Sequence, residues 1–254
     1  MTTLTVLGAG SILPRKGFGS SGYALEIGDE VTLLDCGPGT MRSLGEAEID
    51  LRRIRRVVLS HFHPDHCLDL FAFAFARRNP YFEGVGALEI VGPVGLAKVL
   101  AGGQQAFGRW VEFKDTDVVE VEVDARKPVH LSLGLELHWH PTKHTPHALA
   151  WRVELPDGSS LTYTGDTGEN PEVAELASGT DLLVSECSFA EEAAVEHHLT
   201  PRGAGRLAAK AGCKKLLLSH FYPGLEPEDA AREAAREYEG PIETARDRSR
   251  HRVA

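Results

Sequence analysis

The sequence SHFHPDH at residues 60–66 stands at the end of the apolar run VVLS and decides how the rest of the chain is interpreted. VVLS predicts a β-strand, and an extended backbone directs side chains two residues apart to the same side, so His61 and His63 present their imidazoles together. The proline that follows is typical of the first turn of a helix, and it directs Asp65 and His66 elsewhere. Four nitrogen and oxygen ligands that face two directions fit two metal ions better than one. Such ligands favour zinc, and manganese or iron can use the same groups.

Three further candidate ligands stand at the ends of predicted strands: His144 after LELHWHPTK, Asp166 in TYTGDT and His220 in LLLSHF. A bridging carboxylate with one additional histidine for each ion would complete a two-metal site. Asp166 could instead be an ordinary turn aspartate, because TGD is also good turn chemistry. His144 competes with three nearby histidines, His138, His140 and His147, of which His138 and His140 are expected to pack or to lie behind the ligands.

Short runs of β-type composition alternate with segments of helical pattern along the chain. Strands are predicted over residues 4–7, 23–27, 31–35, 57–60, 88–92, 118–123, 135–140, 148–155, 160–165, 181–186 and 215–220, with a last strand within 245–254. Helices are predicted over 64–78, 93–107, 170–177, 201–211 and 227–238, each with a proline at or near its start. This order predicts an α+β or α/β layered protein, residues 1–254 as one domain, with two sheets inside and helices outside.

The composition is that of an ordinary globular protein. The chain has 254 residues, of which 42% are hydrophobic, and a formal charge of −10. The acidic balance opposes strong non-specific binding to nucleic acids and to anionic membranes. Neither a signal peptide nor a long apolar run is visible, and four dispersed cysteines suit a reducing compartment. We therefore expect a cytoplasmic protein without a membrane segment.

The motifs occur in a specific order. They are LGAGS (7–11), LLDCGPGT (33–40), SHFHPDH (60–66), KHTPHALAWRV (143–153), TYTGDT (162–167), DLLVSECSF (181–189), HLT (198–200) and KLLLSHFYP (215–223). In these motifs and their order the chain resembles the metallo-β-lactamase superfamily and, within it, the ribonuclease Z-like branch. The resemblance covers nearly the whole chain and implies an αββα four-layer sandwich.

The resemblance also implies a role for each candidate residue. It assigns one ion to His61, His63 and His144, the other to Asp65, His66 and His220, and the bridge between them to Asp166. Glu186 and His198 match the paired acidic and histidine loops beside the metals; the alternative is a strand-end glutamate and a surface histidine. Asp35 is expected to orient a ligand histidine from behind or to be a buried structural aspartate.

One segment departs from ribonuclease Z. That enzyme carries a Gly/Pro-rich arm, which grips the tRNA elbow, between the third histidine motif and the bridging aspartate. Here 21 residues, 145–165, separate His144 from Asp166, and they consist of two predicted strands joined by the turn signal Pro156-Asp157-Gly158. Because no arm fits there, the chain is more similar to the small armless hydrolases of this branch, many of which are phosphodiesterases.

These features predict a binuclear zinc hydrolase that cleaves a small or nucleotide-type phosphodiester by attack of a metal-bridging hydroxide. Two zinc ions, two aspartates and a hydroxide leave a charge of about +1, which favours an anionic substrate. Asp65 would orient the hydroxide, and His198, oriented by Glu186, would protonate the leaving oxygen. The alternatives are a lactonase or other carboxylic ester hydrolase, a tRNA 3′-processing endoribonuclease, a metal-dependent oxidoreductase, and a scaffold subunit with a decayed site. All seven ligand positions are present, which opposes the last of these.

Two other segments carry open interpretations. LRRIRR (51–56) is more typical of a solvated turn before a strand than of a phosphate-binding patch. FAFAFARRNPYF (71–82) is apolar and aromatic, and it begins with the alternation of a strand inside a predicted helix. Its place beside the candidate ligands predicts a lid or a homodimer surface.

Overall fold

The computed structural model describes residues 2–125 and 127–254, and in these residues the strands form two seven-stranded sheets. The first sheet contains β1 (Thr3–Gly8), β2 (Gly22–Ile27), β3 (Glu30–Cys36), β4 (Ile54–Val58), β5 (Leu88–Pro93), β6 (Thr116–Val121) and the C-terminal β14 (Arg250–Arg252). The second contains β7 (Val129–His130), β8 (Glu136–Pro141), β9 (Leu149–Glu154), β10 (Ser160–Tyr163), β11 (Leu182–Glu186), β12 (Leu216–Ser219) and β13 (Ile242–Thr244).

Seven α-helices in the described residues accompany the sheets. They are α1 (Thr40–Glu46), α2 (Pro64–Cys67), α3 (Asp69–Ala76), α4 (Leu96–Phe107), α5 (Pro171–Leu176), α6 (Pro201–Ala211) and α7 (Pro227–Ala234). The helices that follow β3, β4 and β5 pack on the first sheet, and α5 to α7 pack on the second. The order of layers is helix, sheet, sheet, helix, as the sequence predicts.

The strand order places four parallel strands on one side of each sheet. The first sheet runs β14-β1-β2-β3-β4-β5-β6, with parallel pairing from β3 to β6. The second runs β13-β12-β11-β10-β9-β8-β7, with parallel pairing from β10 to β13. Because all parallel strands of a sheet end at the same edge, the loops that leave β4, β10, β11 and β12 are brought together there.

The strands β3, β4 and β5 of the first sheet are buried on both faces. Alternate residues therefore enter different apolar clusters, one between the sheets (Leu34, Val58, Val91) and one beneath the helices (Leu33, Val57, Ile90). The two sheets are also joined near the candidate site, because the fully buried Trp151 of β9 donates a hydrogen bond from Nε1 to the carbonyl of Leu59 (3.0 Å). This contact fixes the end of β4 against the second sheet.

The predicted helices are present, with corrected boundaries. The helix predicted from residue 93 begins at Leu96, because Pro93 completes β5 and Gly95, at φ +104, starts the helix. The helix predicted to end at residue 238 ends at Ala234. The α6 bounds are as predicted, and the side chain of Thr200 accepts a hydrogen bond from the Gly203 N–H at its start.

One helix and two strands were not predicted from the sequence. The missed elements are α1, β7 and β13.

The prediction of a solvated turn at LRRIRR (51–56) was correct only in part. The segment does include a 3₁₀ turn (Leu51–Arg53), but it is not solvated throughout. Arg56 lies on β4 with no exposed surface, donates to Thr32 Oγ1 (2.9 Å), and pairs with Glu30 (2.6 Å). A buried charge is tolerated here because it is paired and hydrogen-bonded.

Candidate metal centre

Nine sequence-predicted side chains meet at the shared edge of the two sheets. His61, His63, Asp65 and His66 follow β4, Asp166 follows β10, His220 follows β12, and His144 lies between β8 and β9. Glu186 is the last residue of β11, and His198 precedes α6. A set of distant polar residues thus becomes one cluster because each follows a strand that ends at this edge.

The first group of potential ligands combines three histidines with a carboxylate. His61, His63, His144 and Asp166 each offer an atom, and these atoms all lie within 4.8 Å of one another. Oδ2 of Asp166 lies 3.9 Å from His61 Nε2 and 3.7 Å from His144 Nε2, and the latter lies 3.0 Å from His63 Nδ1. Three imidazoles and one carboxylate form a donor set that suits zinc.

The second group lies on the other side of Asp166. Asp65, His66 and His220 converge in the same way. Asp65 Oδ2 lies 3.9 Å from His66 Nε2 and 3.7 Å from His220 Nε2. Asp166 Oδ2 is 3.4 Å from His66 Nε2, while Asp166 Oδ1 is 3.5 Å from His220 Nε2. The Asp166 carboxylate therefore lies between the two groups.

The hydrogen bonding of these side chains tests whether they fit metal ions. Four buried atoms that point into the cluster have no hydrogen-bond partner among the described residues: His61 Nε2, His66 Nε2, His220 Nε2 and Asp166 Oδ1. Buried polar atoms are almost always satisfied, so such a convergence requires a missing partner. Bound cations satisfy all four atoms at once, and the residues therefore fit the metal site that the motifs predict.

The other nitrogen of each buried imidazole is held by the protein. His61 Nδ1 contacts Ser60 Oγ (3.0 Å), His66 Nδ1 contacts Asp35 Oδ2 (2.7 Å), and His220 Nδ1 contacts Ser188 Oγ (3.0 Å). Because Nδ1 donates in each of these bonds, the Nε2 lone pair remains free to bind a metal.

Asp35 organises the interior side of the cluster. Its buried carboxylate accepts hydrogen bonds from the Ser60 N–H and hydroxyl (both 2.7 Å), from His66 Nδ1 (2.7 Å) and from the Tyr163 hydroxyl (2.6 Å). Through Ser60 it also reaches His61, so one carboxylate orients a histidine of each group. Asp35 and His220 both have positive φ angles, +57° and +60°, which are strained for non-glycine residues. The prediction that Asp35 orients a ligand histidine agrees with this network.

Charges at the cluster act in opposite directions on two neighbouring histidines. Burial, followed by the charge of His66, lowers the pKa of His61 well below its usual value. Burial also opposes charge on His66, but Asp166 and Asp35 outweigh it and raise the pKa of His66 well above its usual value. A pair of carboxylates that holds a proton on a buried imidazole also attracts a cation to the same place.

Glu186 and His198 form a pair at the edge of the cluster. Both Glu186 carboxylate oxygens lie 3.1 Å from His198 Nδ1, and the buried carboxylate also accepts the Thr167 N–H (2.6 Å). Burial lowers the pKa of His198, but the hydrogen bond and charge of Glu186 outweigh this effect and raise it. A ring nitrogen of His198 lies within 4.8 Å of ligand atoms of Asp166 and His220. The sequence reasoning did not find Ser188, which donates to Glu186 and contacts His220 Nδ1.

The motif LLDCGPGT touches the SHFHPDH segment at a glycine. A Cβ on Gly37 would lie 1.9 Å from the carbonyl oxygen of Asp65 and 2.8 Å from that of Ser21. Both obstacles are backbone atoms and cannot rotate away. Only glycine therefore allows the loop after β3 to pack on the turn that carries Asp65.

We expect Gly37→Ala to lower the free energy of unfolding by roughly 1–3 kcal/mol, because overpacking a close backbone contact costs about that much. Gly45→Ala is a matched control, since a Cβ there has nothing within 4 Å and the residue lies in α1. The control should be stabilising by about 0.5–1 kcal/mol. Urea unfolding of metal-loaded and metal-stripped protein measures both effects; equal effects of the two variants would contradict the packing argument.

The remaining histidines of the neighbourhood lie outside the cluster. His138 Nε2 pairs with Glu136 (2.7 Å), His140 Nδ1 contacts the carbonyl of Pro141 (2.9 Å), and His147 is exposed. Four histidines between residues 138 and 147 were candidates. Among the described residues, His144 is the one of these four that lies beside the other potential ligands. Its Nδ1 is held by the carbonyl of His197 (3.1 Å).

The segment between His144 and Asp166 has the predicted form. It contains β9 and β10, which pair antiparallel and are joined by a tight turn in which Ser159 donates to Asp157. Gly158 in this turn has φ +83°. No room remains in these residues for an inserted arm.

Comparisons with known proteins identify the family of this chain. A family described as "Beta-lactamase superfamily domain" matches residues 31–221, which is most of the chain. The chain belongs to the metallo-β-lactamase superfamily. The family match and the arrangement of layers confirm the predicted family and the αββα fold, and they support a metal-binding hydrolase.

Relatives and structures within the metallo-β-lactamase superfamily extend this finding. An uncharacterized protein of Mycobacterium leprae is 33% identical over 94% of this chain and 84% of its own length. A protein of Mycobacterium marinum named ribonuclease Z is 28% identical over 100% of this chain and 98% of its own. The metallo-β-lactamase fold protein YhfI of Bacillus subtilis superposes with a TM-score of 0.85 at 24% identity, over 98% of each chain.

The helices were also compared with membrane-spanning segments. Among residues 2–125 and 127–254, none of the helices has the length and hydrophobicity of such a segment.

Proposed function

We propose that this protein is a binuclear metal-dependent hydrolase that cleaves phosphodiester bonds of a small or nucleotide-type substrate. The observation that carries the proposal is the position of Asp166, whose Oδ2 is 3.7 Å from His144 Nε2 of the first group and whose Oδ1 is 3.5 Å from His220 Nε2 of the second. A carboxylate placed between two groups of ligands serves two cations at once. Two cations held side by side are an arrangement suited to displacement at phosphorus.

Seven residues would hold the cations: His61, His63 and His144 for one, Asp65, His66 and His220 for the other, and Asp166 for both. Imidazole and carboxylate donors favour zinc, and manganese or iron fit the same set. When bound, the cations would supply Lewis-acid stabilisation of the substrate phosphate and an acidified water nucleophile at neutral pH.

The protein would supply orientation and proton transfer. Asp65 would accept a hydrogen bond from the attacking water and align it with the phosphorus. His198 would hold a second proton on Nε2, because burial is outweighed by the hydrogen bond and charge of Glu186, 3.1 Å from its Nδ1, which raise the pKa of the ring and favour its doubly protonated form. That proton would pass to the leaving oxygen, which is the step that limits cleavage of an alkyl or ribosyl ester.

A phosphodiester is favoured over a carboxylic ester by two observations. A relative that aligns with the whole chain is named ribonuclease Z, and a ribonuclease cleaves phosphodiester bonds. The Glu186–His198 pair also provides an acid for a poor leaving group beside the cluster. A lactonase would use the same seven ligands, so the choice of substrate needs a direct measurement.

The expected result is that the metal-loaded protein hydrolyses bis(p-nitrophenyl) phosphate with a kcat/KM well above that for a simple lactone. His144→Ala should reduce this activity strongly because it removes one ligand, whereas His138→Ala should not, since His138 pairs with Glu136 outside the cluster. Steady-state kinetics on both substrates checks the prediction. A clear preference for the lactone would establish the carboxylic ester alternative.

Precursor tRNA is expected to be a poor substrate. Segment 145–165 holds only two strands and a turn, and the charge of −10 leaves few contacts for a folded polyanion. A gel assay of 3′ trimming on a precursor tRNA measures this directly. Efficient and accurate trimming by this protein alone would favour the endoribonuclease alternative.

A further inference from the structure

Three arginines cluster at the C-terminal end of α3, the end opposite the SHFHPDH segment. Arg77 and Arg78 follow the helix directly, and Arg55 belongs to β4 beneath it. Arg77 Nη2 points at the carbonyl oxygen of Gly86 (3.4 Å), and the Arg55 guanidinium lies 3.3–3.6 Å from the position a Cβ on Gly86 would occupy. The guanidinium groups of Arg55 and Arg77 therefore meet at one point of the chain.

None of the three arginines forms an ion pair among the described residues, although Arg77 lies over the ring of Phe82 and Arg78 over that of Trp110. In each of them, Nη1 is shielded from solvent and has no hydrogen-bond partner among the described residues. By contrast, Arg53 pairs with Glu26 (3.0 Å) and Arg56 with Glu30 (2.6 Å). A shielded guanidinium nitrogen without an acceptor is costly, and a second guanidinium nearby adds repulsion.

A cavity of about 220 Å³ lies beside Arg77 and Arg78; Arg55 is outside its wall and approaches it at Gly86, next to the lining residue Val85. Arg77, Arg78 and Lys114 line it together with Glu112 and Asp115, and the rest of its wall is largely apolar. The volume is several times that of a water molecule, which is enough for a compact oxyanion. The three cationic lining residues outnumber the two acidic ones, so the cavity favours an anion.

We propose that Arg55, Arg77 and Arg78 form a second, separate binding site for a phosphate-type oxyanion. Guanidinium groups donate paired hydrogen bonds that match the oxygens of a phosphate. An anion between them would accept from the unpartnered Nη1 atoms and would remove the repulsion between neighbouring cations. Burial, and then the charge of Arg55, lower the pKa of Arg77, and a bound anion would reverse this effect. The phosphate can come from free phosphate or from a nucleic-acid strand.

The site is tested by titrating metal-loaded protein with inorganic phosphate in a calorimeter. Under the proposed function the metal centre would also bind phosphate, so the comparison is between wild-type protein and Arg77→Gln. We expect the variant to lose one binding event, or to bind at least about tenfold more weakly at that site, as charge-assisted hydrogen bonds are removed. Hydrolysis of bis(p-nitrophenyl) phosphate should not change.

Two further variants make the result decisive. Arg52→Gln is the matched control, because Arg52 is exposed and pairs with Asp50 (2.6 Å). Arg55→Gln repeats the test on β4 in case Arg77→Gln folds poorly. In phosphate-free buffer, removing one of the crowded charges should leave the melting temperature unchanged or higher, while wild-type protein should gain more than the variants when phosphate is added. Equal phosphate binding and equal phosphate-induced stabilisation in wild-type and variant proteins would overturn the proposal.

A second arm identifies the source of the phosphate. A single-stranded oligonucleotide without a terminal phosphate either competes with inorganic phosphate in an Arg77-dependent manner or does not. Competition assigns the site to a nucleic-acid backbone, and lack of competition, with phosphate binding intact, assigns it to free phosphate. Both results are compatible with the site. Phosphate binding that is the same with and without the Arg77 side chain contradicts it.

Discussion

Asp166→Ala is expected to lower metal occupancy at both positions of the centre and to reduce kcat/KM for a phosphodiester by roughly 10³-fold or more. The carboxylate lies between the two groups of ligands, 3.7 Å from His144 Nε2 of the first group through one oxygen and 3.5 Å from His220 Nε2 of the second through the other. Cations supply several kcal/mol of transition-state stabilisation, and each 1.36 kcal/mol corresponds to a factor of ten in rate. Elemental analysis of protein purified without chelator, together with steady-state kinetics, measures both effects.

Single-histidine variants provide the contrast. His144→Ala removes a ligand from the first group only, and His66→Ala from the second only. Each should lower the metal content from two ions towards one, whereas Asp166→Ala should lower it below one. A wild-type protein that holds one ion or none would contradict the binuclear proposal. Loss of a single ion in Asp166→Ala would show that this carboxylate serves one position.

The cluster was accessible from the sequence because each of its members follows a strongly apolar strand. VVLS, SLTYTG and KLLLSH are short β-type runs in which a candidate ligand is the last or the following residue. Parallel strands bring these ligands to one edge. Local spacing added the rest, since HxHxDH places four ligands within six residues. What the sequence left open was the choice of His144 among four histidines, which depends on where the loop after β8 turns.

The residues that hold the ligands in place were harder to predict from the sequence. Asp35 had two interpretations from the sequence, and its hydrogen bond with the ligand His66 distinguishes them. A second hydrogen bond joins it to Tyr163, 128 positions away along the chain. The same holds for Gly37, whose need to be glycine arises from the backbone of Asp65. Such contacts depend on how the two sheets pack, and no local pattern encodes them.

Short elements also escaped prediction, for physical reasons. The segment of α1 begins after Gly39, at φ +96°, without a side-chain cap, and β13 has three residues that pair only with β12. Segment 71–82 shows the opposite case, in which a strand-like alternation lies in a helix. There Phe73 is buried in the core, while Phe75 is exposed and contacts Trp110.

The lid or homodimer surface predicted for segment 71–82 corresponds to an apolar patch on the exposed face of α3. Phe71, Phe75, Phe107 and Trp110 line an apolar cavity of about 560 Å³, which begins at Leu68, two residues after His66. Apolar patches of this kind on a protein surface mark interaction sites. Whether this patch serves as a lid or as a homodimer surface stays a prediction, which the oligomeric state in solution would test.

His198→Ala is expected to slow hydrolysis of alkyl or nucleoside phosphodiesters by roughly 10²- to 10⁴-fold, the usual contribution of a positioned acid. Hydrolysis of bis(p-nitrophenyl) phosphate should change far less, because nitrophenolate leaves without a proton. The structure motivates this difference, since Glu186, 3.1 Å from His198 Nδ1, outweighs burial, raises the pKa of the ring and so favours the doubly protonated form that can donate from Nε2. Parallel kinetics on the two substrate types, with metal content measured in each preparation, gives the ratio.

The weaker variant Glu186→Gln separates proton donation from pocket shape. The amide retains the size of the side chain and can still accept from His198 Nδ1, but it no longer supports a positive charge on the ring. The same selectivity between substrates should therefore appear in smaller form. Metal content must stay constant in both variants, because Ser188 links Glu186 to His220. Equal losses on both substrate types would mean that His198 binds the substrate or shapes the cleft, since removal of a proton donor affects only the leaving group that needs a proton.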